Sequence, residues 1–265
     1  MGAIRPPAVA GTFYPADAVR LRAMVEELVA AADPSPDGRT PKALIAPHAG
    51  YVYSGPVAGR AFAALGAGAA PIRRVVVIGP AHFVPLRGLA LPTAAAFRTP
   101  LGDVALDGAA MAALRDLPQV TVDDAPHEPE HGIEVELPFL QTLLGGLTLV
   151  PLVVGQATRE EVALVLERLW GGPETLLVIS SDLSHYEPYA RAREHDAATA
   201  AAIERLDGAA LGPADACGHL AIAGLLREVL RRGLAARRLD LRNSGDTAGP
   251  KDAVVGYGAW AFDEV

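Results

Sequence analysis

The 265-residue chain has one cysteine, Cys217, and a single thiol excludes an internal disulfide. Aromatic residues are scarce at 5%, although hydrophobic residues make up 51%, so the core has to be built mostly from Ala, Val and Leu. No apolar run approaches the roughly 20 residues needed to cross a bilayer. The strongest, Leu147 to Val154, is broken by Thr148 and Pro151. The opening Met1-Gly2-Ala3-Ile4-Arg5-Pro6-Pro7 lacks the apolar stretch of a signal peptide. These absences lead us to expect a cytoplasmic protein with no membrane partner. Positive charge is also short, with 23 Lys and Arg against 31 Asp and Glu and a net charge of −8. No basic cluster suits a nucleic-acid partner, and the Arg-rich stretch Arg227 to Arg238 reads as a solvated helix face. There is no Gly-x-Ser-x-Gly elbow, which leaves a serine hydrolase little support. A P-loop and a Gly-x-Gly-x-x-Gly fingerprint after a strand are missing too.

What is present is a recurring pattern. Ala43-Leu44-Ile45-Ala46 runs into Pro47-His48, Val75-Val76-Val77-Ile78 into Gly79-Pro80-Ala81-His82, and Leu176-Leu177-Val178-Ile179 into Ser180-Ser181-Asp182-Leu183-Ser184-His185. Short apolar runs bounded by breakers predict buried strands. In an open α/β sheet the crevice beyond the strands' carboxyl ends is where ligands bind. One loop histidine is ordinary polar surface, but three in the same structural position predict convergence on one pocket.

Around these runs the pattern alternates strand and helix, which predicts a mostly parallel or mixed sheet covered by helices, an α/β/α sandwich. Ala8 to Tyr14 reads as an extended edge segment. Leu21, Met24, Val25, Leu28 and Val29 mark a helix capped by Asp17. Residues 33–41 read as a loop, and Gly55 to Leu65 as a small-residue helix. Leu86 to Asp107 reads as short strands or an excursion, Leu106 to Leu114 as helical, and Val120 to Val122 as a strand. Asp123 to Glu130 is an acidic loop. Ile133, Leu137, Leu140 and Leu144 mark a helix whose main body Pro138 bends or begins. Thr158 and Glu161 form a capping box for the next helix. Helices over Arg191 to Leu206 and Gly218 to Arg232 precede strands over Leu239 to Arg242 and Val254 to Phe262. Without repeats or linkers, residues 1–265 read as one domain.

Chemistry-bearing side chains follow from this placement. His48, His82 and Cys217 are imidazole and thiolate donors for zinc, iron or copper, and two His with one anion leave coordination positions open. Cys217 near a helix start could hold a lowered pKa, although a small buried hydrophobe is the commoner fate of a free Cys. Asp182 could orient His185 as a general base, or merely cap a turn. His131 and Glu134 would share a helix face. Glu128 and Glu136 read as acidic residues complementing a helix dipole, His127 as a solvated loop residue and His195 as structural. His219, close to Cys217, is a reserve ligand.

These residues also carry a resemblance. Ala46-Pro47-His48-Ala49-Gly50-Tyr51 with Ser54-Gly55, Gly79-Pro80-Ala81-His82, Glu130-His131-Gly132-Ile133-Glu134, Leu137-Pro138-Phe139-Leu140, Ser180-Ser181-Asp182-Leu183-Ser184-His185, Cys217-Gly218 and Asn243-Ser244-Gly245-Asp246 resemble the motif series of the Memo family. Its prokaryotic members are called AmmeMemoRadiSam system protein B. The opening Arg5 to Pro15 matches as well, so the resemblance spans essentially the whole chain. It implies a fold similar to class III extradiol dioxygenases of the LigB type. It implies His48, His82 and Cys217 as metal positions and Asp182, His185 and His131 as further active-site positions. His185 falls where the related dioxygenases keep their acid/base. Cys217 is a departure from those enzymes, which use a carboxylate there, and a thiolate invites oxidation of the sulfur. The expectation is therefore a non-haem, metal-dependent, dioxygenase-like oxidoreductase, with iron(II) the first choice and copper or zinc as alternatives. A non-catalytic adaptor or redox-signalling protein and a zinc hydrolase are the rival classes. AMMECR-type and radical SAM proteins are the partners that the resemblance implies.

Overall fold

The computed structural model describes residues 2–32 and 40–264. Among these the strands are β1 (Ile4–Arg5), β2 (Ala43–Ala46), β3 (Arg74–Pro80), β4 (Leu89–Leu91), β5 (Ala96–Thr99), β6 (Gly102–Ala105), β7 (Val120–Val122), β8 (Thr148–Val154), β9 (Thr175–Ser180), β10 (His185–Glu187), β11 (Leu234–Asn243) and β12 (Val254–Glu264). The helices are α1 (Ala18–Ala30), α2 (Tyr51–Ala63), α3 (Gly108–Ala112), α4 (Leu137–Leu143), α5 (Arg159–Leu169), α6 (Tyr189–Glu204) and α7 (His219–Arg232).

Nine strands form one mixed sheet in the order β10-β12-β2-β9-β3-β8-β4-β7, with β11 paired to β12. Its centre is parallel: β2 beside β9, β9 beside β3, and β3 beside β8. The long β11–β12 pair and the β4–β8 pair are antiparallel. A small sheet of β1, β5 and β6 completes the strands.

Period-2 alternation explains the sandwich. Ile45, Val76 and Ile78 face one apolar cluster with Val162 and Leu166 of α5, Ile203 of α6 and Leu225 of α7. Leu44, Val75 and Val77 face the opposite cluster with Leu21 of α1, Phe62 of α2 and Phe139 of α4. Buried on both faces, the central strands read as continuous apolar runs. Their completely buried Val, Leu and Ile side chains contribute about 1.5–3 kcal/mol each.

Local signals set the helix ends. The Asp17 side chain accepts the Arg20 N–H at 2.9 Å. The Thr158–Glu161 capping box forms in both directions, at 3.1 and 2.7 Å. Pro138 sits in the first turn of α4, where its missing N–H costs nothing. In α2, Gly59 lies against the backbone of α1: a Cβ there would sit 2.4 Å from the Leu28 carbonyl oxygen.

Several sequence expectations need correction. Ala8 to Tyr14 is a turn closed by an Ala10–Tyr14 bridge rather than an extended segment. Residue 11, with φ of +84°, is a Gly because that turn needs the left-handed region. α2 begins four residues before Gly55, at Tyr51. β11 starts at Leu234, before the expected Leu239. The short strand β10 had no alternating apolar signal and was not anticipated. Of the expected 33–41 loop, residues 33–39 lie outside the described residues.

Candidate metal centre

The parallel register brings the loops of the first motifs together. Ala46 pairs with Ser180, Ile78 with Ile179 and Pro80 with Val154, so β2, β9 and β3 end side by side. His48 follows β2, Asp182 follows β9 and His82 follows β3. The loop before α4 adds His131. The ligand nitrogens of His48, His82 and His131 all lie within 4.8 Å of one another, a grouping able to hold a metal ion. The His48 ring meets those of His82 and His131 edge-on, with centroids 5.1 and 5.4 Å apart. The Sγ of Cys217 lies 3.4 Å from His48 Nε2.

The His48 and His82 rings are held from outside. His82 Nδ1 is 2.8 Å from Glu130 Oε1, and His48 Nδ1 is 2.7 Å from Ser180 Oγ. Nε2 is therefore the nitrogen each ring keeps for the centre, the arrangement that metal-ligating histidines use. Glu130 also accepts the backbone N–H groups of His82, His131 and Gly132 at 2.8, 2.9 and 2.9 Å. One carboxylate thus ties the His82 loop to the His131 loop. At position 132 a Cβ would come within 3.3 Å of His48 Nδ1, which favours Gly there.

The electrostatics suit a cation. Burial pushes the Glu130 carboxyl up, but the His82 ring and the backbone donors outweigh it and hold it down to about 2. Burial pushes the Cys217 thiol up, yet His48 and His82 bring it down to about 6. Burial lowers His82, while Cys217 and Glu130 raise it further, to about 10. Burial and the neighbouring His48 push His131 down to about 3, leaving it neutral. Three imidazoles around one position, one of them backed by a carboxylate, with a thiol of lowered pKa beside His48, are a donor set that fits a divalent metal once the metal displaces the proton on His82.

The remaining sequence-predicted residues fall as follows. The Asp182 carboxylate is buried and accepts the His48 backbone N–H at 2.8 Å. Burial pushes it up to about 6, against the His48 N–H and the charges of His185 and His82. No hydrogen bond joins it to His185, which is exposed at the start of β10 and acts on Asp182 through its charge. His185 stands outside the three-imidazole group, and His131 takes the place that the sequence reading gave it there. Cys217 precedes α7 by two residues, and its thiol is lowered by the two histidines. His219, the reserve ligand, has Nδ1 3.1 Å from the Ala216 carbonyl oxygen. Glu134 does not share His131's environment: it is buried against Arg5, Tyr14 and the backbone of Ala8 and Val9. His127 is 2% exposed, correcting the solvated reading. His195 is structural, bridging Asp215 at 2.8 Å and Glu187 at 3.3 Å.

Sequence reasoning missed Ser180 and Glu136 as parts of the site. Glu136 is completely buried, so the helix-dipole reading does not apply. The only signal for Ser180 was its place at the end of an apolar run.

A cavity of about 510 Å³ opens beside the centre, lined by His82 and Cys217 and by Phe83, Pro85, Arg87 and Leu220 among others. Among the described residues, no Asp or Glu lines it.

The family model described as Memo-like protein matches residues 5–261. A MEMO1 family protein of Aeropyrum pernix is 38% identical, covering 97% of this chain and 98% of that protein. One from Sulfolobus acidocaldarius is 35% identical, covering 96% and 97%. One from Aquifex aeolicus is 34% identical, covering 96% and 97%. With a match that runs almost end to end and includes every residue of the centre, the chain belongs to the Memo-like family.

Proposed function

We propose that this chain is a non-haem, metal-dependent oxidoreductase of dioxygenase-like type, with His48, His82 and Cys217 as metal ligands and His131 beside them. The observation that carries the reading is the convergence of three imidazoles on one position, with the Cys217 sulfur 3.4 Å from His48 Nε2 and outer hydrogen bonds leaving Nε2 of His48 and His82 for the centre. Iron(II) is the first choice, and copper and zinc suit the same donors. The metal would supply Lewis acidity and, if iron or copper, one-electron chemistry towards oxygen. His131, neutral and close, presents an uncharged imidazole beside the bound substrate. His185 is placed to exchange protons with solvent, and Asp182 holds the His48 backbone. The adjoining cavity is within the usual size range for small ligands. Its apolar lining, with Arg87 and no carboxylate in a chain of net charge −8, favours a small apolar molecule bearing a negative group. For partners, family resemblance supports an AMMECR-type protein and a radical SAM protein.

The test is to load the protein with iron(II) without oxygen, admit air, and follow the optical spectrum and oxygen uptake with catechol-like substrates. Oxygen uptake that depends on metal and substrate is the expected result. Metal binding without oxygen uptake would favour the zinc-hydrolase or adaptor reading, and no metal binding would remove the metal account altogether.

A further inference from the structure

Three groups crowd one buried hydroxyl. Ser180 Oγ lies 2.7 Å from His48 Nδ1, 2.6 Å from the Gly132 carbonyl oxygen and 2.8 Å from Glu136 Oε1. A serine hydroxyl has one proton to give. The Gly132 carbonyl can only accept, and at this separation it takes that proton. His48 Nδ1 and Glu136 Oε1 are then both left facing the lone pairs of Ser180 Oγ. Each must carry a hydrogen of its own, or two electronegative atoms would be held in contact with nothing between them.

We propose that Glu136 is an uncharged carboxylic acid that donates to Ser180 and so fixes His48 in the Nδ1–H tautomer. Glu136 is a positioning residue: it acts on His48 only through Ser180. Two further observations support the assignment. The second carboxyl oxygen, Glu136 Oε2, is buried with no hydrogen-bond partner. A carboxylate would leave negative charge there without solvation, whereas the carbonyl oxygen of a neutral acid bears that burial at lower cost. Burial also pushes the Glu136 carboxyl well above the usual carboxylate range; the Ser180 contact lowers it somewhat and the Asp182 charge raises it again.

The consequence is directional. In the neutral ring with its proton on Nδ1, His48 has the Nε2 lone pair directed at the centre. If Ser180 donated to His48 instead, Nε2 would carry the hydrogen and point a proton at the metal position. The protonation of Glu136 and the tautomer of His48 stand on hydrogen-bond counting alone, and only their use in binding metal rests on the function proposed above.

Two measurements test this without requiring metal. The infrared difference between wild type and E136Q at pH 8 should contain the C=O stretch of a protonated carboxyl group, because Gln preserves size while removing the acid. Carboxylate bands in its place would overturn the proposal. Nitrogen-15 spectra of metal-free C217S, in which His48 has no thiolate to pair with, should place the His48 proton on Nδ1. That preference should persist when E136Q is added, since the Gln amide can donate to Ser180, and should be lost when S180A is added. A proton on Nε2 in C217S, or no effect of S180A, would equally overturn the proposal. Metal titration then separates the two claims. S180A should weaken metal binding by about 10- to 100-fold, the range for losing such an outer partner. A wild type that binds no metal would refute the proposed function while leaving the carboxyl band and the tautomer to decide this inference.

Discussion

Removing the Glu134 carboxylate should expose how the N-terminal segment is held over the centre. Arg5 Nη1 lies 2.6 Å from Glu134 Oε2, with side chains 5% and 0% exposed. Glu134 also accepts the Tyr14 hydroxyl at 2.5 Å and the Ala8 and Val9 N–H groups at 2.7 and 3.0 Å. Arg5 in turn donates to the carbonyl oxygens of His127, at 2.7 Å, and of Glu130. This single pair therefore connects residues 5–14 to the loop that supplies Glu130 and His131. E134A would leave the guanidinium buried without its counter-charge, which costs about 3–5 kcal/mol. E134Q keeps the shape and loses the charge, so it should cost less, about 1.5–3 kcal/mol, the worth of a hydrogen bond to a charged group. Combining R5M with E134A removes both charges, and the double variant should be clearly more stable than the sum of the single losses requires. Urea unfolding at pH 7 measures all four proteins. Because the pair is buried, raising the salt concentration should leave the cost nearly unchanged. A cost for E134A below about 1 kcal/mol, or strict additivity with R5M, would refute the reasoning.

Three further outcomes follow from other parts of the molecule. His127 is buried, and desolvation pushes it from 6.5 down to about 4. The unfolded chain therefore takes up this proton first, so stability is full above pH 6.5 and falls by about 3 kcal/mol as the pH drops towards 4. Unfolding curves of H127Q should lack that part of the slope; an unchanged slope would show that the ring is not held neutral. G59A should lower Tm although Ala favours helices, because the added Cβ would lie 2.4 Å from the Leu28 carbonyl oxygen; overpacking costs about 1–3 kcal/mol, and a raised Tm would contradict the close packing of α1 on α2. R87A should leave Tm and metal content unchanged while weakening the binding of benzoate, used as a small anionic probe, about tenfold by calorimetry; unchanged binding would remove the anionic reading of the cavity.

The central sheet was legible because β2, β3, β8 and β9 are apolar on both faces and end in breakers. The convergence of His48 and His82 followed from parallel strands alone. His131 was legible only as part of a motif, since no strand delivers it and the Glu130 carboxylate folds its loop inward. Glu136 and Glu134 look alike in sequence, two acids in one helical turn. Tertiary contacts give them opposite characters: Glu134 meets a guanidinium, while Glu136 meets a hydroxyl and no cation. β10 was hidden because His185-Tyr186-Glu187 has no apolar alternation and pairs with the start of β12, at Val254 and Val255. The thiol of Cys217 was expected to be lowered by a helix start, but the cause is the pair of histidines, which spacing along the chain cannot reveal.

The most direct measurement is X-ray absorption on protein loaded stoichiometrically with zinc in the absence of oxygen, compared with C217S and with H48A/H82A. The account expects one sulfur neighbour at about 2.3 Å together with nitrogen neighbours at about 2.0–2.1 Å. C217S should lose the sulfur shell while keeping the fold, and H48A/H82A should hold no stoichiometric metal. A wild-type shell of oxygen atoms alone, or a sulfur shell that survives C217S, would contradict the assignment of the centre.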